Sequence, residues 1–317
     1  MMGLACKLDA MAMRTSSFPI LGALCCLAFP EFSSAAVTGC PPAGYDIATL
    51  GELRARHFDI ADASERQTFA RNLLACLNAP DPTLRDRVAY EAYATWRHNK
   101  SLDAATWRFI QNSLLDNLNT RRVDPDGVSK PFAVLVLAEA VKADRASPYL
   151  SDEERRKLLT AAAKYLVELR DYRGFDDGIG WRHGVAHAAD LLAQLALSPS
   201  FGKPEMDRIL AAAAAQIVPA DAHFYVYGES DRLSTVVAAI ASREVYTAEE
   251  WRTWLGKVAN PAPFKKWDEA FWSQAGLAKV HNTMSFLLAL YAQTAVDKRA
   301  AVSQLAPMVA QAMQPLG

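Results

Sequence analysis

The chain has 317 residues, 51% of them hydrophobic and 22% charged, a make-up that excludes a disordered protein and suffices for one large folded domain. Its 34 Lys and Arg balance 35 Asp and Glu to a net charge of -1, with no run of like charges. That balance argues against an electrostatic nucleic-acid binder or membrane-surface binder.

The first 36 residues differ from the rest. Arg14 precedes an apolar run from Phe18 to Phe29, followed by Pro30 and the small residues Ser33, Ser34, Ala35 and Ala36. Basic region, apolar region and small-residue cleavage site together predict a signal peptide over 1–36. The apolar run is too short to remain as a membrane-spanning helix, which needs about 20 residues. The mature chain, 37–317, is then expected in the periplasm or secreted, without a transmembrane segment. Val37-Thr38-Gly39-Cys40 offers the alternative of a lipoprotein anchored at Cys40.

Of five cysteines, Cys6, Cys25 and Cys26 fall in the leader, leaving Cys40 and Cys76. In an oxidising compartment two cysteines most simply form a disulfide, closing a loop that contributes about 4 kcal/mol on the loop-entropy model. The competing expectation is a buried Cys76 thiol and a lipid-bearing Cys40.

Helical patterns then follow in succession, with apolar residues at i, i+3, i+4 and i+7. In chain order they begin with GELRARHF, SERQTFARNLLACL, DPTLRDRVAYEAYATWRH and DAATWRFIQNSLLDNL. They continue with SKPFAVLVLAEAVKAD, SDEERRKLLTAAAKYLVELR, the stretch 181–198, KPEMDRILAAAAAQIV, ESDRLSTVVAAIASRE and TAEEWRTWLGKV, with three more towards Gly317. Many open with Ser, Asp or Thr, as helix starts should. HFYVYG, from His223 to Gly228, is the best strand candidate in an otherwise all-α chain. DPTLRDRVAYEAYATW has the Asp-Pro start and following Arg of a HEAT-type repeat, and a loose period of about 40 residues favours a HEAT-like α/α superhelix, with a compact α/α bundle as the alternative. The segment from Thr120 to Pro131 carries Asp-Pro and Asp-Gly turn signals and reads as a loop inside the single domain 37–317.

One constellation carries most of the polar chemistry. A helix starting near Trp181 or Arg182 places His183, His187, Asp190 and Gln194 within roughly 60° of one another, at 100° per residue. Val185, Ala188, Leu191, Leu192 and Leu195 point elsewhere, so the polar stripe faces solvent or lines a groove. Two imidazoles at i and i+4 with a carboxylate at i+7 can converge on a divalent metal such as zinc. The H-E-x-x-H pattern is absent because Gly184 follows His183, and a fourth ligand must come from His281, Glu229 or Asp177. The structural alternative is a hydrogen-bond network with Asp171, Asp176 and Asp177.

RGFDDGIGWRHGVAHAADLL, from Arg173 to Leu192, resembles the signature of a bacterial family of uncharacterised proteins, domain of unknown function 2785. The likeness extends to DPTLRD at 81–86, GESDRL at 228–233 and HNTMSFLLALY at 281–291. Ile179 and Arg182 stand where the family signature reads Lys and a small residue. The resemblance implies a helical, HEAT-like fold and no established activity.

Glu229 and Arg232 sit at a helix start, where a carboxylate or its ion-pair partner is usually structural; the functional alternative has them facing the His183 groove. No nucleophile elbow, P-loop, dinucleotide fingerprint or paired CxxC occurs. WRTWLGK and KKWDEAFW offer an aromatic patch for a glycan or peptide, although core packing accounts for most tryptophans. The expected function is a binding or scaffolding module for a protein, peptide or small ligand, with Arg173, Trp181, His183, His187, Asp190, Glu229 and Arg232 shaping its groove. The alternative is a metal-dependent hydrolase using His183, His187 and Asp190; whether the chain is an enzyme stays open at this point.

Overall fold

The computed structural model describes residues 37–316 apart from 121, 122 and 220, so the expected signal peptide lies outside the described residues. The architecture is all-α. The helices are α1 Ile47–Ala55, α2 Ala63–Asn72, α3 Glu91–Asn99, α4 Ala104–Asn119, α5 Ser129–Ala146, α6 Asp152–Glu168 and α7 Gly184–Ala196. They continue with α8 Lys203–Ala214, α9 Glu229–Ala241, α10 Ala248–Val258, α11 Trp267–Ala270, α12 Gln274–Val296, α13 Ala300–Ser303 and α14 Ala306–Met313. None of the described helices is long and apolar enough to cross a membrane.

The polar residues that open the helical patterns cap them. Asp46, Asp62, Asp103, Ser151, Thr247 and Ser273 each accept a hydrogen bond from the backbone of the first turn, and Ser151 with Glu154 and Thr247 with Glu250 complete reciprocal capping boxes. The DPTLRD pattern departs from a regular α-helix. Thr83–Tyr90 winds as a π-helix that runs directly into α3.

Helices alternate between two layers. The inner layer sets α3, α5, α7, α9 and α12 side by side, while α4, α6 and α8 pack on them and on one another from outside. α5 and α7 are buried on nearly every face, which is why PFAVLVLAEAV and GVAHAADLLAQLA show so few polar positions. Polar pairs cross each boundary of the inner layer: Arg97 with Glu139 at 2.7 Å, Arg145 with Gln194 at 2.5 Å, Arg232 with Asp190 at 2.9 Å, and Gln293 with Asp231 at 2.9 Å.

The Cys40–Cys76 disulfide is present and ties the N-terminal arm to the 3-10 turn Leu73–Asn78. Cys76 is fully buried. The strand candidate is corrected: residues 223–228 form no strand, because their backbone groups are taken up by α12 side chains. Asn282 accepts from the Tyr225 N–H and donates to the His223 carbonyl, and His281 Nε2 meets the Tyr225 carbonyl at 3.0 Å. The described strand pair lies elsewhere, β1 Phe175–Asp176 antiparallel to β2 Gly180–Trp181.

Candidate functional site

The site grows from the loop between α6 and α7. Asp176 Oδ1 accepts from the backbone of Gly178 and Ile179 at 3.0 and 2.7 Å, turning DDGIG back on itself. Gly180 completes the turn at φ +76°, a conformation that L side chains rarely adopt. The hairpin register pairs Phe175 with Trp181, and the Arg182 N–H to Gly174 carbonyl bond continues the ladder at 2.8 Å.

Two buried arginines hold this loop to the helices, and neither was expected to matter. Arg85, fully buried, donates to the carbonyls of Ala79, Pro80, Ile179 and Trp181, and its guanidinium lies 4.6 Å from the centre of the Phe132 ring. Its Nε contacts the Asp86 carboxylate at 2.7 Å without hydrogen-bond alignment, and burial pulls its pKa down. Arg182 donates to the Asp126 carbonyl and pairs with Asp176. The Arg of DPTLRD was the available signal, but its partners lie 94 to 96 residues away and are backbone carbonyls, which leave no mark in sequence.

The helix start is corrected. α7 begins at Gly184, not near Trp181, and His183 is its N-cap residue at φ +56° in the left-handed region. A side chain at Gly184 would meet Leu169 and the Tyr165 hydroxyl at under 3 Å, so the chain enters α7 against α6 with no room to spare. The two imidazoles remain neighbours, with ring centres 5.6 Å apart, but they lead different lives.

His187 is a core histidine. Its Nδ1 donates to the Pro131 carbonyl at 3.1 Å, which fixes the proton on Nδ1, and its ring packs edge-on against Phe132 at 5.5 Å. Burial, reinforced by His183, lowers its pKa to about 3. Asp190 is engaged by Arg232, whose Nη1 reaches both carboxylate oxygens at 3.0 and 2.9 Å. Burial still raises the Asp190 pKa, outweighing the arginine.

His183 is different. Its pKa falls to about 4, chiefly from burial and then from Arg232, with a hydrogen bond to the Tyr227 backbone acting the other way. Its Nε2 has no hydrogen-bond partner and faces Glu229 Oε1 across 4.0 Å. Glu229 is buried at the first position of α9, its other oxygen accepting from the Tyr227 N–H at 3.0 Å, and burial raises its pKa. His183 Nε2 and the Glu229 carboxylate thus face each other with no hydrogen bond between them.

An aromatic lip covers this gap. Trp181 lies 5.0 Å from the His183 ring, Phe175 5.1 Å from Trp181, and Tyr227 5.9 Å from Trp181 at an interplanar angle of 86°. All three are about two-fifths exposed. Gly174 makes the lip possible, because a Cβ there would sit 2.0 Å from the Tyr227 ring.

Trp181, His183 and Glu229 are thus brought together, with Asp190 and Arg232 as a neighbouring ion pair. Arg173 stands apart, forked onto Asp171 at 2.8 and 2.6 Å. Of the metal set, Asp190 is engaged by Arg232 and His281 by the Tyr225 carbonyl, while His187 gives Nδ1 to the Pro131 carbonyl and keeps Nε2. Among the described residues no group of three His, Cys, Asp or Glu side chains is placed to hold a metal ion. Phe175 and Tyr227 were missed; an isolated aromatic in a loop carries no periodicity to flag it.

Two-layered α-helical packing with a hairpin-borne site at the start of α7 and α9 is the class of protein that this geometry defines. A family model described as a protein of unknown function, DUF2785, matches residues 115–292, more than half of the chain and the whole of this site, and the chain belongs to that family. No curated protein and no solved structure matches the chain.

Proposed function

We propose that the protein is an exported binding module: a leader over 1–36, and one HEAT-like domain over 37–317 that binds a peptide segment at the lip formed by Phe175, Trp181 and Tyr227. The observation that carries this reading is the half-exposed aromatic lip over His183 Nε2, a buried ring nitrogen without a partner. Exposed aromatic rings supply contact area at low conformational cost, and the unpartnered His183 Nε2 beside Glu229 rewards a hydrogen-bonding group of the ligand. Trp181 must swing aside to admit it, since Nε2 is sealed from solvent. Asp190 and Arg232 brace α7 against α9 beneath the site, and Arg173 holds the approach through Asp171. Periplasmic or extracellular placement accords with the Cys40–Cys76 disulfide.

The test is an array of short peptides probed with the full chain, with Trp181→Ala, with His183→Gln, and with Trp272→Ala as a control for an 88% exposed tryptophan elsewhere. Peptides retained by Trp272→Ala and lost by the other two variants support the reading. An array without binders, or binding indifferent to Trp181, ends it.

A further inference from the structure

WRTWLGK, an aromatic motif that the hairpin site does not use, borders a groove with an apolar floor between α8 and α10. α8 and α10 run in the same direction with a gap of about 670 Å³ between them. Their amino-terminal ends are tied by Lys203, which contacts Glu250 at 2.9 Å, and by the Tyr246 hydroxyl, which donates to Asp207 at 2.6 Å. The floor is apolar, built from Leu210, Ile217, Val218, Trp251, Trp254 and Val258. Lys203 also lies 3.8 Å over the Tyr246 ring, so this ammonium is fully engaged.

The other end differs in its electrostatics. Lys257, in the last turn of α10, and Lys279, on α12, line the groove there, and neither has a carboxylate partner among the described residues. Lys279 is half-buried and its ammonium touches only the Trp267 ring, 5.5 Å from its centre. Burial lowers its pKa, as expected of a cation that lacks a compensating anion. One end of the groove therefore carries Lys203 among the carboxylates Asp207, Glu249 and Glu250, the floor is apolar, and the far end holds two ammonium groups without a carboxylate partner among the described residues.

We propose that this groove binds a single-chain amphiphilic anion, an alkyl carboxylate or alkyl phosphate whose chain lies on Ile217, Val218, Trp254 and Val258 and whose head is held by Lys257 and Lys279. The volume falls within the range of small-molecule sites, about 300–1,000 Å³. From Trp251 to Val258 the floor runs about 10 Å along the helix, the length of a chain of about eight carbons. This site is independent of the aromatic lip and does not rest on it.

The experiment titrates the oxidised full chain with decanoate, decyl phosphate and decanol, each below its aggregation concentration, following tryptophan fluorescence and calorimetric heat. Saturable one-to-one binding of both anions, with decanol about tenfold weaker, is expected. Lys279→Met should remove most of that gap by weakening the anions and sparing the alcohol. Ala211→Trp, at an exposed position on the groove wall, should abolish all three while the melting temperature stays near that of the parent. Equal affinity for decanol and decanoate, binding that survives Ala211→Trp, or no saturable binding would overturn the proposal. So would binding to phosphatidylglycerol vesicles without binding to the free anions, which would mark a membrane-docking face instead.

Discussion

His187 gives the sharpest quantitative test of the site. Its folded pKa of about 3 lies far below the ordinary histidine value of 6.5, so the unfolded chain binds a proton that the native state refuses. For a base depressed in this way, the stability conferred by the neutral native form is intact above the unfolded pKa and declines as the pH falls below it, until the folded pKa is reached. Between pH 7 and 4.5 this one residue should cost the native state about 2.5 kcal/mol. Glu229 and Asp190, whose pKa values are raised by burial, act in the opposite sense: each favours the native state as the pH falls through its folded pKa. The comparison must therefore be between proteins and not between pH values alone. His187→Asn keeps a donor near the Pro131 carbonyl and removes the titration. It loses the ring against Phe132, so the variant should be less stable at pH 7 by about 1–3 kcal/mol. Urea unfolding of both proteins at pH 7 and 4.5 isolates the linkage: the variant should lose about 2.5 kcal/mol less on acidification than the parent. Parallel pH dependences would refute a buried neutral His187.

Three further outcomes follow from the same contacts. Arg85→Met should cost about 3 kcal/mol or more by stranding the carbonyls of Ala79, Pro80, Ile179 and Trp181, and hydrogen exchange should speed up selectively across 175–183. The double variant Cys40→Ser with Cys76→Ser should lower unfolding stability by about 4 kcal/mol for a loop of 36 residues, and a reductant should do the same to the parent but nothing to the variant. Arg232→Ala leaves the partly buried Asp190 carboxylate without its cation, with an expected loss of about 1–2 kcal/mol at pH 7 after allowance for the half-exposed arginine. That loss should shrink as acid protonates Asp190, and an urea series at pH 7 and 4.5 reads it.

The amino-acid pattern was enough for the all-α class and for most of the helix caps, and it offered Cys40 and Cys76 as a candidate pair that the fold then joins. Those properties are legible without the fold: apolar periodicity, polar cap residues and the small number of cysteines. Reliance on local pattern explains the error at His183. A stretch with helical periodicity was extended back to Trp181, while the backbone is turned out of the helix by a left-handed residue and a hairpin anchored to Arg85 and Arg182. Angular placement on an ideal helix kept His183, His187 and Asp190 on one side, yet it carried no information on what packs there. Only the tertiary structure decided that His187 is held by the Pro131 carbonyl, that Asp190 belongs to Arg232, and that His183 keeps an unpartnered nitrogen beneath Trp181. The physical reason is that burial and partnership are properties of distant segments: α5, α7 and α9 meet in the inner layer, and a side chain's pKa, exposure and role follow from what the neighbouring helix presents.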